Sequence, residues 1–180
     1  MPYASLFGRG EATSELRAFV EAMPDAAAGR PAAFAGGRGE GHAGAPAYVF
    51  SNDAASEAIV AALLPPPAGL PRWLGEYDAD FALLAPQFYL GPPLSGSPDH
   101  FHGPAINGLA FGAKLWRLKP PWRADYSSVP AFAAFQRADP GARACVQRAG
   151  DVLFVPNNWG HAVLNLETAV GVAAELTFLD

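Results

Sequence analysis

The sequence contains a single cysteine, Cys145, and few charged residues of either sign. Its 180 residues include 12 Lys or Arg and 17 Asp or Glu, which gives 16% charged residues and a formal net charge of -5. A lone cysteine cannot form a disulfide within the chain, so the fold must rest on packing. Its segment is typical of a strand, where we expect a buried, inert thiol rather than a nucleophile. The low basic content, with Lys and Arg scattered singly, argues against nucleic acid as a partner.

Long apolar runs are also missing. No run approaches the ~20 residues that a membrane-spanning helix needs, and the first residues are too poor in apolar side chains for a signal peptide. We therefore predict a soluble chain without a transmembrane segment or a visible targeting signal. The length fits one domain with a sizeable core, and the 51% of hydrophobic residues is a globular composition.

Short apolar segments separated by tight turns fill the second half of the chain. Many short strands at close spacing predict a closed or double-sheet, mainly β architecture. The predicted strands cover residues 47–50, 106–111, 114–118, 144–148, 152–155, 162–166 and 169–176, with strand-like stretches at 81–84 and 87–90 on either side of Pro86.

Helical patterns are confined to three places. Apolar spacing and flanking prolines predict helices at residues 14–23, 54–64 and 127–136. Residues 26–45 are rich in Ala and Gly and show no periodicity, so we predict a loop there that contains His42. We accordingly divide the single domain into an N-terminal helix and loop, residues 1–46, and a β-barrel, residues 47–180.

Three of the four histidines lie in two segments that border predicted strands. In a strand, side chains two residues apart point the same way, so His100 and His102 would face one side together. His161 follows a turn and opens the next predicted strand, from which it can complete a triangle across a barrel. Neutral imidazole binds several divalent transition metals. Spacing alone leaves two interpretations open: metal ligands, or polar side chains satisfied within the fold.

Four ordered motifs carry a family resemblance. They are Gly96-Ser-Pro-Asp-His-Phe-His-Gly-Pro104, Gly112-Ala-Lys-Leu-Trp116 with Pro120-Pro121, Ala149-Gly-Asp-Val-Leu-Phe-Val-Pro156, and Trp159-Gly-His-Ala-Val-Leu-Asn-Leu166. Together they resemble the JmjC (cupin-like) family. More narrowly, they are similar to the JmjC-domain-containing protein 8 group, which carries His-x-His-Gly-Pro where most relatives have His-x-Asp.

The resemblance implies a cupin-type double-stranded β-helix, or jelly-roll barrel, with a few flanking helices. It also implies a site that holds Fe(II) or another divalent metal and uses 2-oxoglutarate and O2. By position, His100 matches the first metal ligand and His161 the last, while His102 takes the place of the usual carboxylate. Lys114 matches a lysine that pairs with a 2-oxoglutarate carboxylate. Asn107 and Asn165 match polar positions of the cofactor pocket, and no catalytic residue is assigned.

Several of these positions have a structural alternative. Lys114 is equally explained as a solvated strand lysine, and the two asparagines as partners of barrel backbone groups. Two tryptophans of the motifs, Trp116 and Trp159, are expected in the core or pocket wall. Asp99 and Asp151 are expected to be turn residues, because Asp suits such bends.

Departures from the family pattern leave the activity open. Replacing a carboxylate by an imidazole removes one negative charge, which metal binding tolerates better than oxygenase chemistry does. The family also has strands and a helix before residues 14–23, so the barrel is expected to be trimmed or the sequence incomplete at its N-terminus. The group resides in the lumen of the endoplasmic reticulum, which would require an upstream signal.

Three functions follow. The first is a 2-oxoglutarate-dependent dioxygenase that hydroxylates a protein side chain. The second is a non-catalytic JmjC-like module that binds a protein partner. The third is a cupin that uses three histidines in a different reaction on a small molecule.

Overall fold

The structure, a computed structural model, describes residues 17, 19–21, 23, 48–51, 59 and 81–178. Within these residues the chain is mainly β and has only two short helices besides isolated helical positions near the N-terminus. The strands are β1 Val49–Ser51, β2 Phe81–Gly91, β3 Gly96–His100, β4 Ala105–Phe111, β5 Ala113–Lys119, β6 Arg143–Arg148, β7 Val152–Val155, β8 Gly160–Asn165 and β9 Ala169–Phe178. The helices are a 3-10 turn, Pro121–Arg123, and α1, Ala131–Ala134.

The strands form two antiparallel sheets. Sheet A has the order β1-β2-β9-β4-β7, and sheet B has the order β3-β8-β5-β6. Along the chain, β2 to β5 alternate between the two sheets, and β7 to β9 alternate again. Repeated crossing between two facing antiparallel sheets is the jelly-roll arrangement. The predicted mainly β, cupin-type double-stranded β-helix is therefore confirmed.

Each sheet separates two layers of side chains, because strand residues alternate between faces. The outer face of sheet A packs Phe88, Leu90 and Val172 against Phe19, a helical residue near the N-terminus. Its inner face carries Tyr89 and faces sheet B. The space between the sheets is closed by the apolar cluster of Trp116, Val155 and Val163, together with the cluster of Tyr89, Leu109 and Ala169.

Two predicted elements differ from the structure. The stretches on either side of Pro86 form one strand, β2, with a register shift between Leu84 and Gln87 that accommodates the proline. The predicted helix at residues 127–136 shrinks to α1, which starts only after Pro130. Pro130 disfavours the helical conformation of the residue before it, and Val129 instead donates its N–H to Ser127 Oγ at 3.1 Å.

The N-terminal predictions are covered only in part. Residues 17, 19–21 and 23 are helical, as is residue 59. The loop at 26–45, His42 and the division at residue 46 lie outside the described residues and stay predictions. No helix among the described residues is long and apolar enough to span a bilayer.

Gly171 allows the close approach of two strands on the inner face of sheet A. A Cβ at this position would overlap the Gly108 carbonyl oxygen and the Tyr89 hydroxyl. We expect Gly171→Ala to lower the free energy of unfolding by about 1–3 kcal/mol, the usual cost of overpacking. Gly108→Ala is the matched control, because its Cβ would make only an ordinary 3.7 Å contact with Val172. Equal urea midpoints for the two variants would contradict this account.

Candidate metal centre

The three histidines converge where β3 meets β8. His100 is the last residue of β3 and is the register partner of His161, the second residue of β8. His102 lies beyond the strand, which corrects the prediction that the whole His-x-His segment is extended in a strand. The ladder stops because Gly103-Pro104 follows, and the His102 carbonyl accepts a hydrogen bond from the Asn158 N–H at 2.9 Å.

The imidazole rings form a compact triangle. Ring centroids lie 4.1 Å apart for His100 and His161, 4.7 Å for His102 and His161, and 5.5 Å for His100 and His102. One ligand nitrogen from each ring lies within 4.8 Å of the other two. The structure thus brings together the three residues that the sequence singled out.

A main-chain carbonyl holds each of the three rings. The Nδ1 atoms lie 2.8 Å from the Pro98 oxygen for His100, 2.7 Å from the Gly103 oxygen for His102, and 3.0 Å from the Trp159 oxygen for His161. A carbonyl only accepts hydrogen bonds, so each Nδ1 carries the proton and donates it. In a neutral ring with this tautomer the lone pair is on Nε2, which is the atom through which the ring would bind a metal.

Burial keeps two of these rings neutral. It lowers the pKa of His100 to about 4, and it lowers the pKa of His161 well below its usual value. The Trp116 ring, whose centroid lies 5.8 Å from that of His161, forms one wall of the site. Three neutral imidazoles suit a borderline divalent ion such as Fe, Co, Ni or Zn.

Lys114 lies in the interior between the two sheets. Its side chain is 1% exposed, so the alternative of a solvated strand lysine is wrong. The ammonium donates a hydrogen bond to the Tyr48 hydroxyl at 3.2 Å and lies 3.2 Å from the centroid of the Tyr89 ring. Burial lowers the pKa of Lys114 well below its usual value. Within the described part of the chain, no carboxylate pairs with this ammonium.

The two predicted asparagines are also buried. Asn165 is the register partner of Lys114 and donates from Nδ2 to Ser95 Oγ at 2.8 Å. Its Oδ1 is buried and has no hydrogen-bond partner among the described residues. Asn107 Oδ1 accepts the Tyr89 hydroxyl at 2.8 Å. Asn165 therefore lies beside Lys114, and Asn107 contacts the tyrosine on whose ring the Lys114 ammonium lies. The role of both asparagines toward a cofactor stays a prediction.

Tyr89 and Gln147 are buried polar residues that the sequence analysis missed. Tyr89 links Lys114 to Asn107, while Gln147 accepts the Trp116 indole N–H at 2.9 Å and donates to the Asn107 carbonyl at 2.8 Å. Gln147 lies on the edge strand β6, and the sequence alone would predict an exposed side chain for it. Only the pairing of β6 with β5 reveals that it faces inward.

Asp99 is not a turn residue, which corrects the prediction made for it. It lies within β3 on the outer face, where its carboxylate pairs with Arg117 and Lys119 at 2.9 Å each. A buried carboxylate needs such partners. The sequence does contain a signal for this ion pair. Arg117 and Lys119 lie two residues apart on β5, so they share the face opposite to that of Trp116. The ion pairs anchor the strand that ends in His100.

We expect Asp99→Asn to destabilise the fold by about 2 kcal/mol, since the amide keeps the shape but leaves the half-buried Arg117 guanidinium without its carboxylate and Lys119 without its buried one. Asp125→Asn is the control, because Asp125 also contacts Lys119 but its side chain is 57% exposed. An exposed ion pair contributes less than about 1 kcal/mol. Chemical denaturation that ranks the two variants equally would show that Asp99 does not hold this strand.

The structure also covers the predictions for Trp159, Asp151 and Cys145, whose side chain is half-buried. Burial raises the pKa of the Cys145 thiol, which packs with the Trp116 cluster, as does Trp159. This environment suits an inert thiol. Asp151 is a turn residue whose carboxylate accepts the Arg148 N–H at 2.8 Å.

Comparison with known proteins gives partial matches. A scan against protein-family models found none. JmjC domain-containing protein 8 of Homo sapiens is 37% identical over 125 residues, which cover 64% of this chain and 42% of the human protein. The 2-oxoglutarate and iron-dependent oxygenase JMJD4 of Gallus gallus is 29% identical over 121 residues, 56% of this chain and 28% of that protein. The chain thus spans less than half the length of the curated relatives it matches.

Among solved structures, the chain resembles YcfD, a ribosomal oxygenase from Escherichia coli, with a TM-score of 0.43 and 14% identity over 61% of this chain and 27% of that one. The curated relatives and the ordered motifs agree with one another. The chain is similar to JmjC-domain proteins, and among them to JmjC domain-containing protein 8, as its motifs predicted.

Proposed function

We propose that this chain is a metal-dependent oxygenase of the JmjC type that uses 2-oxoglutarate and O2 to hydroxylate a protein side chain. The observation that carries the proposal is the pairing of two features in one interior. Three imidazoles each bring one ligand nitrogen to within 4.8 Å of the other two, and a buried ammonium lies between the same two sheets without a carboxylate partner in the described residues.

His100, His102 and His161 would hold the divalent ion. Main-chain carbonyls fix the three rings through Nδ1, so the rings need no large rotation before they bind the ion. A bound Fe(II) would supply the redox chemistry of O2 activation. The protein's own part is to orient the three rings and, through Trp116 and the apolar clusters around it, to keep the site dry.

Lys114 would bind the carboxylate of 2-oxoglutarate that is remote from the metal. A buried ammonium without a charge partner is costly, and an incoming carboxylate offsets that cost through a charge-assisted hydrogen bond. The Tyr48 hydroxyl, 3.2 Å from the ammonium, is a second group that can donate to such a carboxylate, whereas the orphaned Asn165 Oδ1 only accepts hydrogen bonds. The donor set therefore fits an elongated dianion.

A protein substrate, and residence in the lumen of the endoplasmic reticulum, remain parts of this proposal that rest on resemblance. A curated relative is described as a 2-oxoglutarate and iron-dependent oxygenase, which supports the reaction class. Fluorescence microscopy of the tagged chain as its gene encodes it tests the compartment, and lumenal glycosylation reporters provide an independent check.

The direct test is a titration of the purified, Fe(II)-loaded chain with 2-oxoglutarate, followed by measurement of succinate release. We expect saturable 2-oxoglutarate binding and slow succinate formation even without a protein substrate. His102→Asp is the informative comparison, because it restores a carboxylate to the site. Tight metal binding without 2-oxoglutarate binding in the natural chain, but with binding in His102→Asp, would reject the oxygenase and favour a non-catalytic module.

One observation favours that second function, a protein-binding module. Trp122 is 84% exposed, and it precedes Tyr126, which is half-exposed and whose ring contacts that of Phe101 in a tilted arrangement with centroids 4.4 Å apart. The Tyr126 hydroxyl donates to the Phe101 carbonyl at 2.9 Å, so this aromatic surface is fixed to the His-bearing segment. Exposed aromatic side chains are frequent anchors at protein interfaces.

The two functions make opposite predictions for two variants. For the oxygenase, His100→Ala abolishes 2-oxoglutarate turnover and Trp122→Ala leaves the uncoupled turnover intact. If the chain is a protein-binding module, the natural chain has no 2-oxoglutarate turnover, so neither variant changes it. In that case only Trp122→Ala reduces crosslinking to neighbouring proteins in cells.

A further inference from the structure

A divalent ion at the three-histidine site would bring two positive charges into a nearly dry interior. Three neutral imidazoles supply no negative charge, and an uncompensated charge in such surroundings is unfavourable. A carboxylate close to the site, but not necessarily among its first ligands, would offset this cost.

Glu175 lies on the inner face of sheet A, toward the histidines. Along β9, Val172, Ala174 and Leu176 pack in the outer clusters, whereas Ala173 packs with Tyr89 on the inner face. Strand alternation therefore puts Glu175 on the inner face with Ala173.

The register carries Glu175 to the metal end of the barrel. Glu175 is the register partner of Ala105, which pairs on its other side with Val155. The Val155 side chain packs against Trp116 and Val163, the residues that surround His161. Glu175, Ala105 and Val155 thus form a row across sheet A that faces the part of sheet B with the candidate ligands.

The Glu175 carboxylate reaches the segment that holds His102. An ideal Cβ built on Gly103, the next residue after His102, would lie 3.2 Å from Glu175 Oε2. Gly103 also provides the carbonyl that accepts the His102 Nδ1 proton. Within the described part of the chain, the Glu175 carboxylate makes neither a hydrogen bond nor an ion pair, so its charge is not already compensated there.

The other acidic side chains of residues 81–178 are engaged or distant. Asp99, Asp125 and Asp139 belong to the ion pairs on the outer face of sheet B. Asp151 closes the β6–β7 turn, and Glu167 is exposed in the turn between β8 and β9. Glu175 is accordingly the one carboxylate of this region on the inner face of the barrel.

We propose that Glu175 is the anionic partner of the metal centre, reaching it from β9 rather than from position 102. Its carboxylate lies beside the bound cation and offsets part of its charge. The residue acts on the cation and its ligands by position and charge. This inference rests on the metal binding in the proposed function, not on 2-oxoglutarate chemistry.

The test measures Co²⁺ affinity of the full chain by competition with a colorimetric chelator. We expect Glu175→Gln, which keeps the shape, to weaken Co²⁺ binding by about 10- to 100-fold, the usual effect of losing an outer-sphere partner. Glu167→Gln removes the same charge at an exposed turn and should change the affinity by less than about twofold. Glu175→Asp, which retains the charge, should recover most of the affinity lost with Gln.

A double-mutant cycle separates this role from a general effect on folding. In His102→Asp, a carboxylate already sits in the site, so adding Glu175→Gln should cost only a few-fold in Co²⁺ affinity. An equal loss in both backgrounds, or wild-type affinity in Glu175→Gln, would overturn the inference while leaving the proposed function intact. A natural chain that binds no Co²⁺ would instead overturn both.

Discussion

His161→Ala is expected to lower the affinity of the chain for Co²⁺ or Zn²⁺ by at least about 100-fold. This is the upper end of the loss that follows removal of an outer-sphere partner, and here a candidate ligand itself is removed. His161 is the ring closest to both others, with centroid distances of 4.1 Å and 4.7 Å. Its loss leaves two imidazoles, too few for a closed site.

The matched control is His42→Ala, which removes the fourth histidine of the sequence. If metal binds at the triangle, this variant keeps the wild-type affinity and a stoichiometry of one ion per chain, measured by isothermal titration. Comparable losses in both variants would mean that the ion binds elsewhere or through nonspecific surface imidazoles. Circular dichroism of the apo variants separates lost ligands from lost fold.

Lys114→Met is expected to change ligand binding and stability in opposite directions. Without the ammonium, the 2-oxoglutarate carboxylate loses its charge partner, which costs about 2–5 kcal/mol and therefore weakens binding at least roughly 30-fold. The apo protein, in contrast, should gain about 1 kcal/mol, because an apolar side chain replaces a buried charge that has no anion beside it.

Lys119→Met is the control for this substitution. Lys119 lies on the same strand and is also largely buried, though less completely than Lys114, and its ammonium pairs with Asp99 at 2.9 Å. Its removal should lower stability and leave 2-oxoglutarate affinity unchanged. A Lys114→Met variant that is less stable than the natural chain would show that the ammonium has a structural partner and is not reserved for a ligand.

The pH dependence of stability gives an independent check. Burial lowers the pKa of Lys114 in the folded chain, whereas the unfolded side chain keeps a value near 10.5. Between these two values the unfolded chain binds more protons, so the free energy of unfolding of the natural chain rises with pH. The Lys114→Met variant lacks this contribution. The difference between the two denaturation curves should therefore shrink as the pH increases toward 10.5.

The strands could be predicted from sequence because alternation and turn residues are local signals. The bounds of β7 match the structure, and those of β4, β5, β6 and β9 differ by at most two residues at an end. The helix at residues 127–136 was overestimated because the apolar spacing suggested a longer element than Pro130 permits. His102 was placed in a strand because its two-residue spacing from His100 carries no information on where the ladder stops.

Residues whose role depends on pairing between strands could not be predicted. Asp99 looks like a turn residue until β3 is placed beside β8 and its outer face meets Arg117. Glu175 interrupts the row of small residues Ala169, Gly171 and Ala173 along β9, which was a visible signal in retrospect. Its proximity to Gly103 depends on the register of β9 with β4, and single-chain patterns do not determine register.

The carbonyl bonds to the three Nδ1 atoms have a consequence for how this site tolerates change. Pro98, Gly103 and Trp159 contribute only their peptide oxygens, which every amino acid possesses. Substitutions at Pro98 or Trp159 that preserve the backbone path would leave the orientation of the rings unchanged, whereas a side chain at Gly103 would press on Glu175. Metal binding then fixes few side-chain torsions, so its entropic cost is small. Its rate depends mainly on how fast the ion loses its hydration water.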